Sequence, residues 1–144
     1  MIEHIWSVLC NSASVDIESG SISLFNVLEQ ITVLAKEDEI ITLPIHFELA
    51  TLCARENENI PMQGKLRFNF CDPKNICIKM AEMEVDLKQG LYFRGRMHFE
   101  GLQLNGSGKY KFEVRLQQEN SDTWEQVATL PLLVTFQPIN MPLP

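Results

Sequence analysis

A period of two dominates this chain and constrains it more than any other feature. Within residues 108–116, Tyr110, Phe112, Val114 and Leu116 alternate with Lys111, Glu113 and Arg115. Successive side chains of an extended strand point to opposite faces, so such a run buries one face and wets the other. Residues 65–70 and 93–99 follow the same rule. In residues 43–49 the inward set is Leu43, Ile45, Phe47 and Leu49. Pro44, which has no N–H for a ladder, marks a strand start or an edge position there. The best helical stretch, residues 26–36, contains Val27, Ile31, Thr32 and Val33. These β-branched side chains lose rotamer freedom in a helix, so a strand fits at least as well.

The remaining runs are less regular. Residues 5–10 form an opening strand, and residues 21–33 are long enough for one bent strand or two short ones. In that stretch the apolar phase moves from Ile22 and Leu24 to Phe25 and Val27. A second slip separates Ile76, Ile78 and Met80 from Met83, Val85 and Leu87, which predicts a β-bulge near Ala81 and Glu82. The last strand covers residues 124–136, with Pro131 interrupting it. Gly, Pro, Asn and Asp clusters at 18–20, 37–39, 57–61, 72–73, 89–90, 105–108 and 120–122 punctuate the runs. This pattern predicts an all-β fold with little helix: an antiparallel β-sandwich of about seven to eight strands, immunoglobulin-like or C2-like in Greek-key order. It is expected as one domain over residues 1–137. The proline-rich residues 138–144 cannot continue a central strand and read as an extended tail.

A chain of 144 residues, 45% of them hydrophobic, can bury a substantial core. Its net charge of -7 argues against general nucleic-acid binding and against docking on an anionic membrane. The N-terminus lacks a basic region ahead of an apolar stretch, and no apolar run approaches a membrane span, so a cytoplasmic location is expected. Charge is unevenly distributed. Residues 1–62 hold two basic and ten acidic side chains, whereas residues 65–115 hold ten basic and six acidic ones. The middle of the chain could therefore form a weakly basic face. Cys10, Cys53, Cys71 and Cys77 have no zinc-knuckle or redox-motif spacing. Cys71 and Cys77 flank a turn at Asp72–Pro73 and can face each other across a hairpin; all four are expected as reduced thiols.

Catalysis needs converging groups, and few are available. His4, His46 and His98 lie in different strands without metal-ligand spacing. His46 shares the polar side of its strand with Glu48, and His98 stands beside Arg96 and Glu100. If those strands are neighbours, the two histidines could meet in a zinc or acid–base site. There is no nucleophile elbow, and Gly106-Ser107-Gly108-Lys109 opens a strand rather than the helix a phosphate loop needs. The acidic clusters 37–39 and 56–58 lack calcium-loop spacing. On the strands that carry them, aromatics share parity with aliphatics and basic residues take the opposite parity, which separates core from surface and argues against a stacking platform for single-stranded nucleic acid. Trp124 follows a polar turn and could anchor a partner. No catalytic, metal-binding or cofactor-binding residue is assigned.

Residues 6–11, Trp-Ser-Val-Leu-Cys-Asn, followed by Gly20-Ser21-Ile22-Ser23-Leu24-Phe25-Asn26-Val27, carry a resemblance. With residues 108–114 and 130–134, this opening resembles an uncharacterised family of small bacterial proteins. Asn11 stands where aspartate is usual in that family, and Phe25-Asn26 where glycine is usual. The resemblance implies a β-sandwich and transfers no reaction or binding residue. The expected function is a non-enzymatic protein-interaction or accessory module. It would bind a protein partner or self-associate through a sheet edge, as a possible homo-oligomer, with Trp124, Arg94, Arg96, His98 and His46 as candidate interaction residues. The alternatives are a calcium- or carbohydrate-binding sandwich and a hydrolase built on His46 and His98.

Overall fold

A computed structural model describes residues 1–138. In chain order the strands are β1 (Ile2–Val15), β2 (Ile22–Val27), β3 (Gln30–Leu34), β4 (Ile41–Arg55), β5 (Met62–Cys71), β6 (Cys77–Leu87), β7 (Tyr92–Leu104), β8 (Gly108–Gln118) and β9 (Trp124–Gln137). They form two sheets, ordered β2-β1-β4-β7 and β3-β9-β8-β5-β6, the second curled into a half-barrel. The described residues contain no helix, so residues 26–36 are not helical. Of the tail expected over 138–144, residues 139–144 lie outside the described residues.

Among the described residues the count is nine strands rather than seven or eight because the run at 21–33 divides. Asn26 adopts a left-handed φ of 54° at the phase change. After Val27 the chain leaves the four-stranded sheet, and β3 joins the five-stranded one. There β3 pairs with β9 in parallel, which corrects the expectation of a wholly antiparallel fold. Parallel neighbours need a long crossover, and here residues 35–123, with five strands, intervene between them.

Two local expectations also shift. The β5–β6 register slips between Phe70/Lys79 and Cys71/Cys77, so the extra residue is Ile78 rather than Ala81 or Glu82. From Ala81 onward the register is unbroken, and Ala81, Met83, Val85 and Leu87 all face the core side. Pro131 does not interrupt β9, which runs through it opposite Lys111. β3 covers the outer side of β9 only from Leu133 on, so at Pro131 that side has no partner strand to miss a donor.

The core lies between the sheets. Phe47, Phe68, Phe70, Tyr110 and Phe112 are fully buried, with Leu49, Leu66, Leu87, Leu104, Leu116 and Leu132 around them. Phe47 stacks on Phe99 at 5.0 Å and meets Phe112 edge-on at 5.9 Å, which joins the two sheets. Offset and edge-to-face rings add about 0.5–1.5 kcal/mol per pair beyond area burial. The period-two assignment of Phe68, Phe99 and Phe112 to the interior therefore holds.

Candidate functional site

β4 and β7 are direct neighbours, with His46 opposite Glu100 and Glu48 opposite His98. Phe47 and Leu49 face the core, so alternation places His46, Glu48, Arg96, His98 and Glu100 on the outer face of the four-stranded sheet. An outward glutamate is ordinarily wet, yet Glu48 is only 3% exposed. Its cover comes from β1 and β2. β1 pairs with β4 as far as Cys10 and with β2 from Cys10 to Val15, so its far half and β2 form a hairpin arm.

Two arginines fix where this arm goes. Arg96 donates to the Ala13 carbonyl at 3.0 Å, and Arg94 donates to the Gly20 carbonyl in the hairpin turn at 2.9 Å. Arg94 stands in the same cross-strand row as Leu52 and Trp6, several residues back along β1 from the turn. Its side chain meets Gly20 only because the arm folds back over the outer face of β4 and β7. Ala13, Ile22 and Leu24 are half-buried on the arm's inner side, while Ser12, Ser14, Ser23 and Phe25 face water.

Under the arm, Glu48 gathers the cluster. Arg96 grips its Oε1 through Nη2 at 2.8 Å and Nε at 3.1 Å, and His98 Nε2 lies 3.0 Å from the same oxygen. Glu48 Oε2 is buried and has no hydrogen-bond partner among the described residues. Neighbouring Cys10 is fully buried, and its thiol pKa is raised by desolvation and then by the Glu48 charge. His46 and Glu100 stand apart from this grip at 3.8 Å, both largely in water. A hollow of about 270 Å³ beside the base of the arm is lined by Asn11, Ser12, His46, Glu48, Arg96 and His98 among others. The sequence-derived residues His46, Arg94, Arg96 and His98 thus share one face. Glu48, which holds Arg96 and His98, is missing from that set because nothing local predicts its burial.

Trp124 does not join them. It lies on β9 in the other sheet, half-buried, with the Arg67 guanidinium 4.0 Å over its ring. Arg67 also pairs with Glu82 at 2.8 Å, Lys65 faces Glu84 at 4.0 Å, and Arg115 pairs with Glu113 at 3.2 Å. Pairing of β5 with β6 thereby partners Lys65 and Arg67 with acids, while Arg115 meets Glu113 two residues away on its own strand.

Among the described residues, the third histidine makes the one Ser–His contact. His4 Nε2 lies 2.7 Å from Ser7 Oγ, and Ser7 Oγ lies 2.7 Å from Thr51 Oγ1. Thr51 donates its only proton to the Trp6 carbonyl at 3.1 Å, so it accepts from Ser7. Ser7 has then spent its proton, and His4 must donate to it. Burial also lowers the His4 pKa. With Nε2 carrying the proton, His4 cannot act as base toward Ser7, and the triplet stitches β1 to β4 instead.

Among the described residues, no group of three or more His, Cys, Asp or Glu side chains is placed to hold a metal ion. None of these residues lies in a helix long and apolar enough to cross a membrane. No family model matches the chain, and no curated protein matches it.

Proposed function

We propose that the chain is a non-enzymatic protein-interaction module and that the β1–β2 arm is its docking element. The carrying observation is Ile17, which is 98% exposed at the arm's tip. The turn that displays it is locked. Asp16 N–H donates to the Ser21 carbonyl and Gly20 N–H to the Asp16 carbonyl, both at 2.9 Å, while Asp16 Oδ2 accepts from the Ser19 hydroxyl at 2.6 Å. A turn held rigid around a bare isoleucine spares a partner the entropy of ordering it. Val15, Phe25 and Val27 extend the apolar surface along the arm, each roughly half exposed. The residues from 5 to 35 include Asp16, Glu18 and Glu29 and no Lys, Arg or His. The fitting partner is therefore a different protein with an apolar pocket rimmed by Lys or Arg. A second copy fits poorly, because antiparallel arms would oppose their acidic ends and several of the chain's own cations are already paired.

The finer fold reading is immunoglobulin-like rather than C2-like. Supporting it, β1-β4-β7 faces β9-β8-β5-β6, and Tyr110 sits near the start of β8 just after the β7–β8 corner. Its phenol accepts from the Asn105 N–H at 2.9 Å and lies 2.8 Å from the Gly106 carbonyl, the arrangement of a tyrosine corner. Phe112, two residues on, meets Phe47 of β4 where antibody domains carry a disulfide.

The test is affinity capture from cells of the source organism, using wild type, Ile17→Asp and Trp124→Ala. Support is a protein retained by wild type and Trp124→Ala but lost from Ile17→Asp at unchanged melting temperature. Capture that is indifferent to Ile17→Asp overturns the reading. A wild-type dimer in light scattering that Ile17→Asp dissociates would replace it with self-association. The hollow beside Glu48 favours one further reading, a small-ligand site. A thermal-shift screen with divalent ions and sugars decides it, since no shift removes the idea.

A further inference from the structure

We propose that Cys71 and Cys77 are a redox pair, closed to a disulfide by a low-molecular-weight disulfide such as glutathione disulfide and reopened by thiols. The two residues are register partners at the β5–β6 hairpin, on the same face of the sheet. The turn between them is tightly built. Asp72 N–H donates to the Ile76 carbonyl, and Asp72 Oδ1 accepts from the N–H groups of Lys74 and Ile76, all at 2.9 Å. Asp72 Oδ2 accepts from the Asn105 side chain at 3.2 Å. Asn75 takes the left-handed φ of 65° that closes the loop. Pro73 packs so closely on Gly108 that a β-carbon there would come within 2.5 Å of its ring.

This geometry sets the thiol spacing. Asp72 and Ile76 form the hydrogen-bonded rung, with the Asp72 side chain standing in for its carbonyl. The next rung, Cys71/Cys77, is then the narrow, non-hydrogen-bonded one. Cα atoms in such a rung are about 4.5 Å apart, inside the disulfide range of about 4.4–6.8 Å. A hairpin locked in this way holds the two residues within bridging reach without backbone movement, and closure needs only side-chain rotation, of the Cys71 thiol away from Glu113 and of the Cys77 thiol away from the Lys79 carbonyl that it faces at 3.5 Å.

The two cysteines differ in role. Cys77 is exposed, whereas Cys71 is buried and donates its S–H to Glu113 Oε1 at 3.2 Å. Burial and the Glu113 carboxylate push the Cys71 thiol up to about 12. Cys77 is thus the attacking group and Cys71 the resolving one. In the first step the Cys77 thiolate attacks one sulfur of glutathione disulfide, forming a mixed disulfide and expelling a glutathione thiolate. In the second, Cys71 gives up its proton to solvent past Glu113 and attacks the Cys77 sulfur, expelling the second glutathione thiolate. Two protein thiols and one glutathione disulfide become one protein disulfide and two glutathione thiols. Cys10 and Cys53, each fully buried and on β1 and β4, serve as internal controls.

The experiment incubates the folded protein with glutathione disulfide, quenches with acid, alkylates under denaturation and reads intact mass and peptide linkage. The expected product has lost two protons and two electrons, a mass decrease of about 2 Da before alkylation, with a Cys71–Cys77 linkage that dithiothreitol reverses. Cys71→Ser should stop at the mixed disulfide on Cys77, and Cys77→Ser should stay fully reduced. Glu113→Gln should close faster than wild type, because it removes the charge that holds the Cys71 proton. A wild-type product that remains glutathionylated at Cys77 without closing, or one linked through Cys10 or Cys53, overturns the proposal. Cys77 lies at an exposed position, so Cys77→Ser keeps the test interpretable even if Cys71→Ser folds poorly.

Discussion

The space between the sheets and the layer on the outer face of β4 and β7 are built by different physics. Between the sheets, Phe47, Phe70, Phe99 and Phe112 interlock, and a dry contact is extended at every second residue. On the outer face, a short hairpin arm rests on half-buried Ala13, Ile22 and Leu24 and is tied down by Arg94 and Arg96. The interior is cooperative and insensitive to any single polar group. The outer layer depends on two guanidinium groups and one buried carboxylate. A fold can therefore carry a weaker layer on a strong one, and the weaker layer is where surface can be offered to a partner.

The largest expected effect breaks the interior. Phe112→Ala removes a ring that touches Phe47, Phe70 and Phe99, and should cost about 3–5 kcal/mol in chemical denaturation. A cost below about 1 kcal/mol would mean the aromatic cluster is not the centre of the fold.

That interior is also what the sequence made legible. Tyr110, Phe112, Val114 and Leu116 announce their own burial by alternation, and Phe68 and Phe99 follow the same rule. The phase slips at 25–27 and 76–83 were equally readable as breaks, because a face change must be absorbed somewhere. Where each is absorbed was not, since Ile78 and Asn26 are chosen by pairing with distant strands. Glu48 shows the limit most clearly. Its parity marks it as wet, and only the fold-back of an arm more than twenty residues earlier in the chain buries it. The partners of the middle segment's cations were hidden for a related reason, because Lys65 and Glu84, or Arg67 and Glu82, become neighbours only through strand register.

The next effect sharpens the contrast. Arg96→Ala leaves Glu48 buried with only His98 beside it, and should cost about 2–3 kcal/mol. The paired replacement Glu48→Leu with Arg96→Met removes the charge as well as its partner and should recover most of that loss. If the double variant is less stable than Arg96→Ala, the carboxylate is not the source of the penalty. Arg94→Ala breaks a single, exposed contact to the arm and should cost only about 0.5–1 kcal/mol in global stability.

The smallest effect is a pH dependence inside the sandwich edge. Burial depresses the His4 pKa below its ordinary 6.5, so the fold favours the neutral ring. The stability it supports is complete above the ordinary value and is lost as pH falls through the lower folded value. Melting curves of wild type and His4→Gln should therefore converge as pH drops from neutrality, with wild type losing more. Parallel curves would remove His4 from the account. At lower pH, protonation of Asp72 and Glu113, both held below the usual carboxylate range chiefly by hydrogen bonds from Ile76 and Cys71 respectively, should weaken both variants equally.

Native-state hydrogen exchange on wild type and Arg96→Ala tests most directly whether the arm is a separate, arginine-tied layer. The account predicts that amides of residues 12–15 and 22–25 open at lower free energy than those of β4 and β8, and that the substitution lowers the arm's opening energy by more than it lowers the core's. Arm and core amides that open together at one free energy, with the substitution shifting both alike, would contradict it.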